Sequence, residues 1–388
     1  MQTRKLYYED CHQAVFNATV TDCQKSDNGW LITLDATAFY PEGGGQACDL
    51  GTLGDARVLD VREQGEQVVH LCDRPLKIGS AVEGNIDWQR RFDLMQQHSG
   101  EHILSGIVCS AYNCSNSGFH VGKDVMEIDF DAPIPPEDIP GIEQKCNQII
   151  WDNRPIHCHI PDPETLAKTP YRTKRALPWP VRLVQIPGND SCACCGVHVA
   201  STGEVGIIKI ISCVKFHQGV RLELVCGQRA WEYLQKVFDQ NRQVSQLLSA
   251  KPLETGDAAR KLLDALAAEK LRANNLQKQV LEGIAESYVN QNNVLHFADG
   301  LEPGTVRDLA DRISHVCNGY AAVFSPKEVG FSYCLASRDG DLRQLGKDMN
   351  AALGGKGGGK PNFQQGTVTA GEAQIRDFFA TVKETIYA

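Results

Sequence analysis

The sequence lacks the long apolar run that a membrane-spanning helix needs. Such a helix takes roughly 20 consecutive apolar residues, and the chain of 388 residues has no run of that kind. The first residues, MQTRKLYYEDCHQ, are polar and soon acidic, unlike the apolar stretch of a secretory signal. These two absences predict a cytoplasmic protein with no membrane partner.

An excess of positive charge is missing as well. Lysine and arginine number 39 against 48 acidic residues, which gives a formal net charge of -9. This balance argues against a general nucleic-acid coat, although a local basic groove would still be compatible with it. With 42% hydrophobic and 22% charged residues the composition is globular, which excludes a wholly disordered chain.

Cysteine, in contrast, is abundant, and the number of cysteines, 15, is odd. In a cytoplasmic chain of this length, such cysteines are expected to be buried free thiols or metal ligands rather than a disulfide framework.

The order of the predicted elements indicates an α+β chain of several domains. Short alternating runs broken by Gly, Asp and Asn predict a small N-terminal β barrel or sandwich. Mixed helix and strand patterns predict an α/β domain, followed by two near-heptad stretches that predict a helical hairpin or coiled-coil linker. A C-terminal α/β domain follows. The four predicted domains are 1–88, 89–228, 229–290 and 291–388.

Two short motifs carry the strongest chemical signal. In HSGEH, His98 and His102 lie four residues apart, on one face of a predicted helix, where they can bind one metal ion. In CCGVH, Cys194 and His198 have the same spacing. Imidazole and thiolate are typical zinc ligands, and the excess of histidine favours a substrate-facing zinc ion over a thiolate-rich structural one. For the first motif alone, a core or capping pair is the alternative.

Neighbouring residues leave the thiolate ligand and the acid–base role open. Cys192 and Cys195 flank Cys194, and either of them could replace it as a ligand or be a small buried side chain. Glu101 directly precedes His102. In the HExxH motif, which this chain lacks, the glutamate that acts as a base follows the first histidine instead. We therefore expect Glu101 to be solvated or to lie outside the ligand set.

In combination these motifs resemble the editing domain of alanyl-tRNA synthetase and its freestanding relatives, the AlaX proteins. The family pattern is HxxxH followed by CxxxH, usually CGGTH, and this chain has QHSGEHILSG and CCGVHV. FYPEGGGQACDLG resembles the glycine-rich motif that precedes the editing domain. GGKGGGKPNFQQG resembles the glycine-rich end of the C-terminal tRNA-recognition domain. The resemblance runs from about Phe39 to the C-terminus without an aminoacylation domain, which implies the long freestanding form.

The resemblance implies a deacylase that hydrolyses mischarged Ser-tRNA(Ala), or also Gly-tRNA(Ala), in trans. The implied cofactor is Zn²⁺, bound by a catalytic centre of His98, His102, Cys194 and His198. Whether the metal activates water or orients the ester is left open. The implied partner is tRNA(Ala), and the C-terminal region is a candidate homodimer contact.

Substrate-binding candidates fall in several segments. A pocket that hydrogen-bonds the seryl hydroxyl would reject alanine, and basic side chains can contact tRNA phosphates. For the glycine motif, the alternative is a tight structural turn. For the basic residues it is a solvated face, and for the C-terminal glycine stretch it is a flexible loop. The candidates are Gly43, Gly44, Gly45 and Gln46; Ser115, Asn116 and Ser117; Arg172, Lys174, Arg175 and Arg221; and Lys356, Gly358 and Lys360.

Departures from the family pattern concern the amino-acid preference more than the reaction. Cys195 and Val197 stand where CGGTH has glycine and threonine, and Ser99 stands where threonine is frequent. Asp190, before the cysteines, is a candidate to orient a ligand, with a turn aspartate as the alternative.

Two other function classes remain open at this point. One is a non-catalytic tRNA-binding module with a structural zinc ion. The other is a zinc peptidase or amidohydrolase, which the missing HExxH motif and the C-terminal glycine stretch disfavour.

Overall fold

The computed structural model describes residues 2–173 and 177–382, in two compact units, 1–243 and 244–388. Within these described residues the chain has eight α-helices and 20 strands in several separate sheets, which confirms the predicted mixed α/β architecture. Lys174 and Arg175 lie outside the described residues, as does the end of a helix predicted over 371–386. No helix of the described chain is both long and apolar enough to cross a membrane.

The first unit begins with a strand-rich region. Its strands are β1 Arg4–Lys5, β2 Val15–Ser26, β3 Gly29–Leu34, β4 Ala36–Thr37, β5 Gly51–Leu53, β6 Ala56–Gln64, β7 Gln67–Cys72 and β8 Ala81–Ile86. Six of them pair in the order β2-β3-β7-β6-β5-β8, and β8 pairs again with β2. Alternate residues point inward, as with buried Phe16, Ala18 and Val20 on β2, so the pattern of alternating hydrophobicity creates this core.

The rest of the first unit packs helices on a four-stranded antiparallel sheet. The elements are α1 Trp88–Tyr112, β9 Asn116–Val121, β10 Met126–Phe130, α2 Ile139–Trp151, β11 His157–His159, α3 Pro163–Lys168, β12 Leu183–Ile186, β13 Asp190–Ala193, β14 Ile208–Phe216 and β15 Gly219–Cys226. The four-stranded sheet has the order β14-β15-β10-β9, and a smaller sheet has the order β11-β12-β13. Asp87 caps the N-terminus of helix α1, because its carboxylate accepts a hydrogen bond from the Arg90 amide.

Two long helices follow, as the near-heptad spacing predicts. Helix α4 spans Gly227–Leu247 and helix α5 spans Thr255–Glu286. Many of their apolar side chains are exposed, among them Val237, Leu262 and Leu276. The predicted packing of the two helices into a hairpin stays a prediction.

The second unit ends in a five-stranded sheet with flanking helices. Its elements after α5 are β16 Val294–Phe297, α6 Pro303–Val316, β17 Tyr320–Pro326, β18 Phe331–Ser337, α7 Arg343–Ala352, β19 Lys356–Lys360, β20 Phe363–Val368 and α8 Glu372–Val382. The strand order is β16-β17-β18-β20-β19.

The C-terminal glycine stretch is therefore not the flexible loop that was one alternative. It forms β19, the edge strand, paired with β20. A Cβ at Gly357 would lie 2.3 Å from the Tyr333 hydroxyl, and one at Gly359 would lie 2.1 Å from the Phe363 carbonyl oxygen. Close packing explains these two glycines. A Cβ at Gly358 would meet nothing within 4 Å, so packing does not require that glycine.

A buried ion pair fastens helix α1 to the loop that carries the first glycine motif. Arg91 and Asp49 are both fully buried, and Arg91 Nε donates to both carboxylate oxygens at 2.9 Å. Arg91 also donates to the carbonyl oxygen of Ala38 at 2.5 Å, and Asp49 accepts from the Tyr40 amide at 2.6 Å. These contacts fix α1 against residues 38–49.

Replacing Arg91 with leucine is expected to lower the free energy of unfolding by about 3–5 kcal/mol, because a buried Asp49 carboxylate would lose its counter-charge. The matched control is Arg62→Leu, which removes an exposed arginine paired with Glu42 and Asp60, and whose expected cost is below about 1 kcal/mol. Urea unfolding measures both values. Equal effects would contradict the role of the buried pair.

Candidate metal centre

The two motifs predicted to bind a metal come together in the first unit. His98 and His102 lie in the middle of α1, while Cys194 and His198 belong to the loop after β13. One ligand atom from each of the four lies within 4.8 Å of the others. Cys194 Sγ is 3.4 Å from His98 Nε2 and 3.5 Å from His198 Nε2. The histidines are buried, so the cluster is largely shielded from water.

Each histidine is held by a polar partner on its other ring nitrogen. The contacts are His98 Nδ1 to Gln46 Oε1 at 2.8 Å, His102 Nδ1 to Asp190 Oδ2 at 2.9 Å and His198 Nδ1 to Ser99 Oγ at 3.4 Å. An Nδ1 that donates its proton outward leaves the Nε2 lone pair free to bind a metal ion. The arrangement therefore orients the rings and selects the tautomer, and Asp190, the candidate to orient a ligand, contacts His102 rather than only a turn.

The glycine motif is a tight turn and also a close approach to the cluster. Gly43 and Gln46 exchange backbone hydrogen bonds at 3.1 and 3.0 Å, which places the Gln46 side chain beside His98. Gly44 and Gly45 have positive φ values of 58° and 81°, and a Cβ at Gly45 would lie 2.6 Å from the Phe119 ring. Any larger residue would push the turn away from the site.

Electrostatic coupling within the cluster favours the metal-binding forms of Cys194 and His198. Burial opposes the thiolate, but His98 and the hydrogen bonds from His102 and His198 lower the pKa of the Cys194 thiol well below its ordinary value. Burial and the neighbouring His98 lower the pKa of His198 well below its ordinary value. A thiolate and a neutral imidazole are the forms in which these side chains bind a metal.

Asp190 in turn depends on Arg172. Arg172 Nε and Nη2 donate to the two carboxylate oxygens, both at 2.7 Å. Burial works against ionisation, yet Arg172 and His102 lower the pKa of the Asp190 carboxyl to about 2. Burial opposes the charge of His102 as well, but Glu101 and Asp190 raise the pKa of His102 well above its ordinary value. Arg172, predicted as a tRNA contact, therefore has an internal partner.

A second basic candidate, Arg221, also has partners within the protein. Arg221 pairs with Asp129 at 2.7 Å and with Glu127 at 2.8 Å on the four-stranded sheet. Lys356 and Lys360, in contrast, are exposed on the edge strand β19, as is Gly358.

The three predicted specificity residues around the start of β9 differ in burial. Ser115 and Ser117 are exposed, whereas Asn116 between them is buried and donates from Nδ2 to Glu101 Oε1 at 2.6 Å. Alternation along an extended segment sends neighbouring side chains to opposite sides. Asn116 is thus the candidate that reaches the surroundings of the cluster.

Of the two expectations for Glu101, exposure to solvent is wrong, and the structure agrees with the other, a place beside the candidate ligands and outside their set. Glu101 is 5% exposed, and its Oε2 lies 3.6 Å from His102 Nε2. Its burial follows from its place on α1, because nearly every side chain from Leu94 to Ser105 is buried there. The signal available in the sequence was that an acid occurs inside a helical segment with few other charges.

The three neighbouring cysteines differ in position. Cys194 places its sulfur among the three histidines, while Cys195 is exposed and its sulfur lies 3.9 Å from the Tyr40 hydroxyl. Cys192 is half-buried and lies in a second group with His102 and Asp190, outside the four-residue cluster. The cluster of three imidazoles and one thiolate matches the donor set that zinc favours.

A Gly196→Ala variant is expected to lose metal binding, because its Cβ would lie 2.2 Å from His98 Cε1 and displace the ring. Gly141→Ala is the matched control, since a Cβ at that position of α2 meets nothing within 4 Å. Metal content of the purified variants, measured by atomic emission, tests this expectation. Full metal content in Gly196→Ala would contradict the geometry.

Asp190→Ala is expected to weaken zinc affinity about 10- to 100-fold, because His102 loses the acceptor that orients it. Competition with a chromophoric chelator measures the affinity, and Asp152→Ala, which removes an acid paired with Arg154, is the control. Unchanged zinc affinity in Asp190→Ala would contradict the proposal that Asp190 orients His102.

In metal-free protein, the Asp190 carboxyl has its pKa lowered from 3.8 to about 2. It therefore stabilises the fold above pH 4 and loses this effect as the pH falls toward 2.

Three family models match the chain. The model for tRNA synthetases class II (A) matches residues 2–90. The model for the threonyl and alanyl tRNA synthetase second additional domain matches residues 181–222, which include Cys194 and His198. The DHHA1 domain model matches residues 288–388.

Individual proteins are also similar to parts of this chain. An alanine–tRNA ligase of Ignicoccus hospitalis is 37% identical over 278 residues, which are 68% of this chain but 30% of the ligase. The alanyl-tRNA editing protein Aarsd1 of Mus musculus is 31% identical over 282 residues, which are 67% of this chain and 68% of the mouse protein. Among solved structures, the C-Ala domain of the Aquifex aeolicus alanyl-tRNA synthetase matches 26% of this chain and 96% of that domain, with 18% identity and a TM-score of 0.23.

Proposed function

Because this chain belongs to the freestanding alanyl-tRNA editing proteins of the AlaX type, we propose that it is a zinc-dependent deacylase acting in trans. Its proposed substrate is tRNA(Ala) mischarged with serine, and also with glycine. The bond broken is the ester between the amino acid and the 3′-terminal ribose. The cytoplasm, where tRNAs are charged, is the proposed place of action.

The observation that carries the proposal is a group of three histidines around one thiol, in which each histidine has a polar partner on its Nδ1 atom. His98, His102 and His198 direct Nε2 toward Cys194 Sγ while their Nδ1 atoms contact Gln46, Asp190 and Ser99. Structural zinc sites are usually closed and rich in thiolate. A predominance of imidazole is more typical of zinc sites that act on substrates. When bound, zinc would supply a positive charge that polarises a carbonyl or lowers the pKa of a water molecule toward 7.

The chain's own residues supply position and selectivity around that metal. The exposed backbone of Gly44 and Gly45 borders the cluster, where it leaves room for the 3′-terminal nucleotide. Asn116 Oδ1 is buried without a partner among the described residues. It is the proposed acceptor for the seryl hydroxyl. An alanyl ester would leave this oxygen unpaired, which would disfavour the correct product of the synthetase.

The second unit is proposed to bind the body of the tRNA. Lys356 and Lys360 at the two ends of β19 are exposed, and Gly358 between them leaves open space above the strand. Backbone amides and lysines in this arrangement can contact the sugar-phosphate chain. A homodimer formed through this C-terminal region remains part of the proposal.

His102→Ala and Cys194→Ala are each expected to remove zinc and reduce deacylation of Ser-tRNA(Ala) to its spontaneous rate, with tRNA binding nearly intact. Cys213→Ala, at a half-buried position of β14 outside the four-residue cluster, is the matched control. The measurement is the loss of labelled amino acid from Ser-, Gly- and Ala-tRNA(Ala), with zinc content determined on the same samples.

The possible results separate the proposed function from its alternative. Rapid release of serine with alanine spared supports an editing enzyme with a hydroxyl-reading pocket. Retained hydrolysis in a zinc-free variant would refute the role of the metal. If a folded, zinc-loaded wild-type protein hydrolysed none of the three esters, the chain would instead be a tRNA-binding module with a structural zinc ion.

A further inference from the structure

A buried carboxylate beside the candidate metal centre has one oxygen that accepts two hydrogen bonds and one that accepts none in the described structure. Glu101 Oε1 accepts from Ser105 Oγ and from Asn116 Nδ2, both at 2.6 Å. Across the described residues, Glu101 Oε2 has no hydrogen-bond donor, and it lies 3.6 Å from His102 Nε2. Two donors thus fix the carboxylate in place and leave its second oxygen facing the nitrogen that would bind the metal.

An independent observation indicates that a ligand with hydrogen-bond donors belongs here. Asn116 Oδ1 is buried and unpartnered in the described part of the chain. The orientation of this amide is settled by its neighbour, because only Nδ2 can donate to the Glu101 carboxylate. Buried acceptors are normally satisfied, so the unpartnered Asn116 Oδ1, in the same hydrogen-bonded group as Glu101, points to a donor supplied by a substrate.

The other carboxylate in contact with a ligand histidine is already committed. Asp190 Oδ1 accepts from Arg172 Nε at 2.7 Å. Asp190 Oδ2 accepts from Arg172 Nη2 at 2.7 Å and from His102 Nδ1 at 2.9 Å. Both oxygens of Asp190 are therefore engaged by Arg172 and His102, and Asp190 cannot serve a substrate as well. Glu101 is the acid that remains for a positively charged ligand group.

An aminoacyl ester brings such a group. Its α-ammonium carries a full charge and three N–H donors, and it must leave water when the ester enters a buried site. A single carbon atom separates the α-ammonium nitrogen from the ester carbonyl carbon. A carboxylate that serves it must therefore lie within a few ångströms of the place where the carbonyl reacts. The 3.6 Å separation of Glu101 Oε2 from His102 Nε2 satisfies this requirement.

Resting on the proposed function, we propose that Glu101 binds the α-ammonium group of the aminoacyl ester through Oε2. This contact makes the site selective for esters with a free α-amino group. Ser105 and Asn116 act as positioning residues for the carboxylate. Helix α1 then carries the metal ligand His102 and the ammonium-binding Glu101 side by side, which fixes the ester carbonyl relative to the metal.

The experiment compares two acyl groups of matched size on the same tRNA. One is serine and the other is glyceric acid, in which a hydroxyl replaces the α-ammonium. Each enzymatic rate is divided by the spontaneous hydrolysis rate of that ester, because the ammonium also activates the ester chemically. The protein variants are wild type, Glu101→Gln, which removes only the charge, and the control Glu83→Gln at an exposed position of β8.

The wild type and the control are expected to favour the seryl over the glyceryl ester by about 10- to 100-fold in kcat/KM, the range of a hydrogen bond to a charged group. Glu101→Gln is expected to lose most of that factor on the seryl ester and to leave the glyceryl ester within about twofold. Glu101→Asp, which retains the charge but withdraws it by one methylene, is expected to keep an intermediate preference even if the glutamine variant folds poorly.

Three outcomes would overturn the inference. The first is equal slowing of both esters by Glu101→Gln, which would assign Glu101 to the attacking water. The second is a loss of zinc from that variant, which would make Glu101 part of the metal centre. The third is a wild type with no preference between the esters. Absence of hydrolysis of any ester by the wild type would instead refute the proposed function itself.

Discussion

The buried ion pair between Arg91 and Asp49 is the contact on which the geometry of the metal centre depends. Arg91 lies in the second turn of α1, seven residues before His98, and Asp49 lies three residues after Gln46. The pair therefore joins the helix that carries two ligands to the loop that orients one of them. Because breaking a buried ion pair leaves an unpaired charge, the two segments cannot separate cheaply. Precise placement of Gln46 beside His98 follows from that constraint.

A similar dependence extends outward on the other side of the cluster. His102 is oriented by Asp190, and Asp190 is held by Arg172, which lies 18 residues earlier in the chain. Arg182 donates to the carbonyl oxygens of Cys194 and Gly196, both at 2.9 Å, and so shapes the loop that presents the thiolate. Arg172 and Arg182, two basic residues between the two motifs, thus contact the candidate site from inside. Positive charge in a sequence does not distinguish this role from phosphate binding.

Residues that share one hydrogen-bonded group need not share one task. Asn116, Ser105 and Glu101 are joined by contacts of 2.6 to 3.1 Å, yet only two acceptor atoms of the group lack donors in the described structure. Those two atoms, Asn116 Oδ1 and Glu101 Oε2, have different charge. A neutral amide oxygen suits a hydroxyl, whereas a carboxylate suits an ammonium. Under the two proposals, the group would distinguish both the side chain and the α-amino group of one amino acid.

The sequence by itself determined most of the elements of this protein and the side-chain types of its candidate metal centre. Periodicity predicted α1, the two long helices and the strand-rich N-terminal region, because local side-chain patterns decide which face is buried. Spacing of four residues was enough to predict that His98 pairs with His102 and Cys194 with His198, since a helix or a tight loop brings such residues together.

Only the tertiary structure decided which polar residues complete the site. It selected Cys194 over Cys195, Asn116 over Ser115 and Ser117, and an internal role over a surface role for Arg172. It also buried Glu101 and turned the glycine stretch near the C-terminus into an edge strand. The physical reason is that these outcomes depend on contacts between residues far apart in the chain. Local pattern predicts how a segment folds, but not which distant charge or ring it will meet.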